Sequence, residues 1–334
     1  LVEQQLKLPT TKDYTSLLGN VDAAVVAAPT VAHYEITSEL LRAGVHCLVE
    51  KPLALTADQS QRLVQIATSH GRTLQVGHVE RFNPMWTAAQ AEMGTPKFIE
   101  AVRMGPYSGR STDIGVVFDL MVHDLDLILS LDRSRVTSVQ ATGIALFGAH
   151  EDIAEARIHF DSGMVATIKA SRVAQTPERR MKVFSTAGFA DIDFSGEELH
   201  TVSPNVDLLS HSVMLDALPA AERMAAKEKI YSEWLTPKAV TVSKRNAILD
   251  EQNDFALSIH SGSQPAVSGE DGSRAVEVAS QIVSAIEQHQ WDGASSKPWR
   301  IGARASEVPA ILPMGSSAET ETVHEENSPQ RRAG

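Results

Sequence analysis

Along the first eighty residues, short unbroken apolar blocks alternate with stretches whose apolar positions recur at helical spacing. The blocks AAVVAA (23–28), VHCLV (45–49) and TLQVG (73–77) read as strands covered on both faces. Between them, VAHYEITSELLRAG (31–44) and TADQSQRLVQIATSHG (56–71) have the period of helices. Gly44 and Gly71 supply their stops, and Thr56 with Gln59 forms a capping-box signature at the start of the second. Strand, helix, strand, helix, strand with short connections predicts a parallel sheet with helices on its faces.

From residue 97 the pattern changes. KFIEAVRM (97–104), VTSVQATGIALF (136–147), IAEARIHF (153–160), MVATIKAS (164–171), RMKVFSTA (180–187) and ADIDFS (190–195) are strand-like and mostly follow one another without helices. Asp161, Ser162 and Gly163 read as a hairpin turn between two of them. One helix around 116–130 is expected to precede the sheet, and two more, about 248–260 and 270–289, to cover one face or pack back on the first domain. The fold class is therefore α/β: an incomplete parallel-sheet domain over 1–90, then an α+β domain over 91–302 with a large, mostly antiparallel open sheet. Residues 303–334 are polar and aperiodic, and a disordered tail is expected there.

Composition narrows the chemistry more than the fold. A chain of 334 residues with 43% hydrophobic positions has room for two cores. Its net charge of -12 argues against a nucleic-acid partner, because phosphate binding rests on a lysine and arginine excess. Cys47 is the single cysteine, so no internal disulfide is expected, and the cytoplasm is the expected compartment. No stretch reaches the roughly 18 consecutive apolar residues of a membrane-spanning helix, and the start shows no signal-peptide pattern.

In an open parallel sheet, ligands bind beyond the carboxyl ends of the strands. The residues there are Pro29, Thr30 and His33, then Glu50, Lys51 and Pro52, then His78, Glu80, Arg81 and Asn83. Proline disfavours helical geometry in the residue before it, so Lys51 should be extended with its ammonium aimed into the crevice. A solvated surface lysine is the competing reading. Farther on, Asp119, His123 and Asp126 are spaced i, i+4 and i+7 along DIGVVFDLMVHDLDLILSL (113–131), a polar stripe through an apolar helix. A carboxylate one turn from a histidine can orient the ring and raise its proton affinity, as a general acid/base requires. A histidine satisfied by the aspartate for purely structural reasons fits the same spacing, and a metal site does so less well.

These residues resemble a known family. VVAAPTVAHYEITSELLRAGVHCLVEKPLALT (25–56) is similar to the cofactor domain of the glucose-fructose oxidoreductase / inositol dehydrogenase (Gfo/Idh/MocA) family, in which a Glu-Lys-Pro motif ends a Rossmann strand. DLMVHDLD (119–126) resembles the Asp-x-x-x-His helix of its second domain, and DFALSIHSGSQPAVSGEDGSRAVEVASQIVSAIE (254–287) its closing segment. The resemblance implies transfer of a hydride between a sugar or cyclitol hydroxyl carbon and NAD or NADP. It implies a catalytic set of Lys51, Asp119 and His123, with His123 the base, and a cofactor surface of Pro29, Thr30, His33, Glu50, Lys51 and Pro52, with a cis Lys51–Pro52 bond common in such proteins. GHVERFNP (77–84) with RMGPYSGRSTDIGVVFDLMVHDLD (103–126) looks most like members acting on nucleotide sugars, including those oxidising the 3-position of UDP-N-acetylglucosamine. Carried over, that likeness makes Arg81, Asn83, Arg103, Tyr107 and Arg110 substrate ligands, because guanidinium forks match phosphate oxygens. No bound metal is implied, and a homo-oligomer built through the open sheet is expected.

The family's opening strand and G-x-G-x-x-G turn have no counterpart here, where Gly19 is the only early glycine. The expectation is that the sequence starts inside the cofactor domain. A second reading is a noncatalytic sugar-binding or assembly protein that has lost dinucleotide binding. Metal-dependent hydrolysis is a third, short of ligands beyond 119–126.

Overall fold

The computed structural model describes residue 5 and residues 7–109 and 114–289. Its first unit is a three-stranded parallel sheet: β1 (Ala23–Val26), β2 (His46–Glu50) and β3 (Leu74–Gly77), in the order β1-β2-β3. Helices α1 (Thr30–Arg42) and α2 (Ala57–Ser69) make the crossovers. The Thr56 side chain accepts a hydrogen bond from Gln59 N at 3.2 Å, the predicted cap. β2 is central, and Cys47, Leu48 and Val49 are all buried, as an unbroken apolar run requires of a strand covered on both faces. β1 is an edge, and its Val25 is exposed.

The second unit is an eight-stranded sheet in the order β11-β10-β9-β8-β4-β7-β6-β5. Its strands are β4 (Pro96–Met104), β5 (Val136–Ile144), β6 (Ile153–Phe160), β7 (Val165–Ser171), β8 (Glu178–Ser185), β9 (Gly188–Asp193), β10 (Glu198–Pro204) and β11 (Leu235–Ala239). Every neighbouring pair is antiparallel except β4 with β7. Burial alternates along β6 and β7, so one face is apolar: Ala154, Ala156 and Ile158 face the core beside Ala166, Ile168 and Ala170. The predicted turn after β6 is present, with Gly163 at φ 86°, a left-handed conformation that glycine adopts without a Cβ penalty.

Three helices cover that apolar face. α3 (Pro84–Glu92) is capped by Asn83, whose side chain accepts from Met85 N, and it drives the fully buried Trp86 into the second core. α4 (Val122–Leu131) continues a π-helical turn, Val117–Met121, and buries Leu125, Leu127 and Ile128 completely. α6 (Gly269–Gln288) lies across both units, with Val276 in the first core and Ala275, Val278, Ala279, Ile282 and Ile286 in the second. A Cβ on Gly272 would stand 2.4 Å from Val76 Cγ2, so the glycine is what lets α6 lie against β3. Before α6, α5 (Ala247–Ser261) follows the 205–234 connection between β10 and β11, which carries short helical turns that sequence periodicity did not signal.

The two units are bonded together at several points. Val76 N donates to Val267 O at 3.1 Å, Gln75 Nε2 to Glu251 O at 3.1 Å, and the Ser60 and Ser273 hydroxyls lie 3.1 Å apart. None of the described helices is long and apolar enough to cross a membrane. The segment expected to be a disordered tail lies outside the described residues.

Candidate functional site

The carboxyl end of β2 meets the π turn that opens α4. At the end of β2, Lys51 is joined to Pro52 by a cis peptide bond, and its ammonium donates to the Asp119 backbone oxygen at 2.6 Å. Asp119 Oδ1 stands 3.4 Å away, and the two side chains retain 19% and 18% exposure. A lysine of the parallel unit and an aspartate of the antiparallel unit thus meet while both remain reachable from solvent. Burial lowers the Lys51 pKa, and Asp119 acts against that shift.

His123 stands one turn beyond Asp119. Its Nδ1 is sealed and has no hydrogen-bond partner among the described residues, which leaves Nε2 as the nitrogen free to meet a ligand. Burial, reinforced by Arg103 and Lys51, holds the ring well below the usual histidine range, so it is neutral at physiological pH. Here the structure departs from the spacing argument. Asp119 is spent on Lys51 rather than on the histidine, because the π turn offsets its side chain from the i, i+4 alignment of a regular helix. Asp126, the third member of the stripe, is paired with Arg81 in a two-pronged ion pair at 2.7 and 3.0 Å.

A cleft of about 290 Å³ opens beside these groups, lined by Glu80, Arg103, Asp119, Arg172, Arg179 and the 104–108 loop. A larger hollow of about 420 Å³ lies between α2 and α6, but it holds neither a histidine nor a lysine. The residues assigned by resemblance to substrate sort differently within the smaller cleft. Arg103 grips Asp124 with two bonds, at 2.9 and 3.1 Å, and reaches Glu80 Oε1 at 3.4 Å; burial pulls its pKa down, but the two carboxylates outweigh it and raise the pKa. The Arg81 guanidinium is committed to Asp126, and the Asn83 amide donates to Glu80 Oε2 at 3.0 Å while its oxygen caps α3. Tyr107 is 43% exposed beside the cleft. Arg110 lies outside the described residues.

Sequence reasoning missed Arg172 and Arg179. Arg172 Nε donates to Asp152 at 2.6 Å and its Nη1 to Ile114 O at 2.9 Å. Arg179 is paired with Glu80 through Nη2, and its Nε has no acceptor among the described residues. It enters the site because β8 sets it directly opposite Arg103 of β4, a register no local pattern in TPERR (176–180) reveals.

On the sheet side, His33 is buried, and its two ring nitrogens lie 2.9 Å from Pro52 O and 2.8 Å from Ala28 O, a staple between two strand ends. α1 begins after Pro29 without a side-chain cap, so its first N–H groups at Thr30 face the strand ends unclaimed. Glu50 lies over Gly77; beside it Glu251, unflagged by the sequence, is pushed up to about 7 by burial, Glu50 and Asp254. His78 is fully buried with neither ring nitrogen bonded among the described residues. An uncapped helix start, a largely buried cation and a buried imidazole with unpartnered nitrogens at strand carboxyl ends fit a dinucleotide. Among the described residues no three metal-ligating side chains converge.

The two neutral histidines have a measurable consequence. Burial lowers the pKa of both His78 and His123 in the folded chain, so below pH 6.5 the unfolded chain takes up protons that the folded chain refuses. Stability therefore falls as pH drops, by about 1.4 kcal/mol per pH unit per histidine. Urea midpoints between pH 7.5 and 5 will show the slope, and His78→Gln will remove its share.

Comparison with known proteins identifies the family. Residues 1–78 match the oxidoreductase family with an NAD-binding Rossmann fold, and residues 87–191 match the C-terminal domain of the same Gfo/Idh/MocA family. The chain is 33% identical over 273 residues to UDP-N-acetylglucosamine 3-dehydrogenase of Acidithiobacillus ferrooxidans, covering 81% of each protein. A solved structure of that dehydrogenase superposes with a TM-score of 0.74, covering 85% of each chain at 31% identity. Levoglucosan dehydrogenase, solved with NADH and levoglucosan, is 16% identical with a TM-score of 0.68 over 85% of this chain and 84% of that one, a likeness of fold alone.

Proposed function

Because the chain belongs to the Gfo/Idh/MocA family of oxidoreductases, we propose that it catalyses nicotinamide-dependent oxidation or reduction at a secondary hydroxyl of a sugar carried on a nucleotide. The observation that carries this reading is the meeting of Lys51 from the parallel unit with Asp119, one turn from a neutral and open His123, at the edge of a cleft. Similarity to a UDP-N-acetylglucosamine dehydrogenase over most of both chains supports the substrate class. The bound cofactor supplies hydride acceptance or donation; Pro29, Thr30, His33, Glu50, Lys51 and Pro52 would hold its nicotinamide end.

The chain's own groups account for the proton. In the oxidative direction, His123 Nε2 accepts the hydroxyl proton, which a neutral imidazole can do and an imidazolium cannot. The Lys51 ammonium, held by Asp119, faces the oxygen on which negative charge develops and stabilises it. In the reverse direction the same nitrogen returns the proton. A noncatalytic sugar binder is the weaker reading, since binding alone asks for no desolvated lysine beside an unpartnered imidazole. A homo-oligomer formed on the open face of the eight-stranded sheet, in the cytoplasm, belongs to the same reading, and light scattering measures the first part of it.

The direct test mixes the purified chain with UDP-N-acetylglucosamine and either NAD or NADP and follows reduced nicotinamide by its absorbance. Cofactor reduction dependent on the nucleotide sugar supports the reading. Reduction with the free sugar alone removes the nucleotide from it, and reduction with neither removes catalysis by this chain.

A further inference from the structure

Beside the cleft two aromatic rings stand out in solvent. Phe147 is 65% exposed and Tyr107 43%, and they meet edge to face with ring centroids 5.2 Å apart and an interplanar angle of 60°. Tyr107 sits between Pro106 and Ser108, both of which line the cleft. Phe147 comes from the loop joining β5 to β6, far away in the chain. Scattered exposed apolar residues are ordinary on any surface. A pair built from two loops at the rim of a site, each ring with a face still open, is a different thing.

The loop that carries Phe147 is fixed to the cleft wall. Asp152 Oδ2 accepts from Leu146 N at 2.6 Å and Phe147 N at 3.0 Å, while its other oxygen accepts from Arg172, which lines the cleft. Glu151 continues the anchorage by accepting from Val117 N, in the π turn that also carries Asp119. Gly115 lacks the Cβ that would stand 2.0 Å from the Glu151 carboxylate, so the approach is close. The ring's position is thereby tied to the wall of the reaction site through two buried acids.

Along the same wall Arg179 is an under-used cation. Its Nη2 contacts Glu80, its Cζ lies 5.8 Å over the Phe194 ring and its Nε is buried without an acceptor among the described residues, but the side chain is 34% exposed, which leaves the Nη end of the guanidinium reachable. The cleft wall therefore carries Asp119, the partner of Lys51, and a guanidinium able to take an anionic oxygen, with an exposed aromatic pair beside it.

We infer that Tyr107 and Phe147 form the stacking platform for the aromatic base of a nucleoside-diphosphate sugar, with Arg179 taking an oxygen of its diphosphate. This deepens the proposed function and rests on its nucleotide-linked substrate. A base gives up little on stacking, because both partners are flat and already rigid, and a guanidinium fork suits a phosphate oxygen. The sugar is then left over Lys51 and His123.

The test is calorimetric binding of uridine diphosphate, which needs no turnover. Phe147→Ala, and separately Tyr107→Ala, will weaken binding about tenfold, the usual worth of a base stacked on an aromatic ring, while Phe147→Tyr keeps wild-type affinity. Arg179→Gln will weaken uridine diphosphate but leave uridine unaffected. Both rings are exposed, so unchanged melting temperatures are expected and will exclude misfolding. Wild-type affinity in both alanine variants overturns the platform while leaving the nucleotide-linked substrate standing. A wild-type chain that ignores uridine diphosphate yet reduces cofactor with a free sugar overturns the nucleotide-linked substrate, and the platform with it.

Discussion

Replacing His123 by asparagine will lower turnover about 100- to 10,000-fold, the range in which a positioned general base contributes. The substitution isolates the chemistry well. Nδ1 of His123 makes no hydrogen bond among the described residues, so little of the fold depends on it, and the melting temperature should stay near the wild-type value. Lys51→Met should cost a comparable factor, because it removes the cation facing the developing oxyanion and releases Asp119 from its partner. The two differ in their pH profiles. In the wild type, oxidation should lose rate only well below the usual histidine range, as His123 gains its proton; that limb should vanish in His123→Asn and persist in Lys51→Met. Steady-state assays over pH 5–8 measure all of this, and near-normal turnover in either variant removes that residue from the mechanism.

Arg103→Met will unfold the protein more readily, by about 3–5 kcal/mol, because Asp124 would be left buried without its cation and Glu80 would keep only Arg179. The loss should be largely recovered in the double variant Arg103→Met/Asp124→Leu, which removes the stranded charge as well. Urea denaturation of the single and double variants gives the coupling. The resemblance to nucleotide-sugar enzymes makes Arg103 a phosphate ligand, and the same measurement distinguishes that role. Undiminished stability together with a raised KM would return Arg103 to the substrate, whereas the ion pairs drawn here require the reverse.

What the sequence revealed depended on how far apart the interacting residues lie. β2, buried on both faces, and α2, capped at Thr56, are local patterns, and both were legible. Lys51 was legible too, because the proline after it restricts its backbone wherever the rest of the chain goes. The Asp119–His123 pairing was not, since a π turn carries no sequence mark and shifts a side chain around the helix axis. Arginines posed the opposite difficulty. Arg81 and Arg103 read as free forks for phosphate, yet Asp126 and Asp124, more than twenty residues away, had already claimed them. Arg179 depends on strand register across the sheet and could be found only once the sheet was assembled. The Trp86 helix falls within the span assigned from sequence to the first domain, and its side chains pack into the second core, where long-range burial rather than local period decides membership.

The bonds that lace the units together also govern how a ligand comes and goes. Swinging the parallel sheet away from the antiparallel one would have to break Lys51–Asp119, Arg81–Asp126 and both ion pairs of Glu80 in a single movement. A rotation of one sheet against the other would cost all of those contacts together. The short segment that carries Met104, Gly105, Pro106 and Ser108 forms the wall that a ligand of the cleft meets.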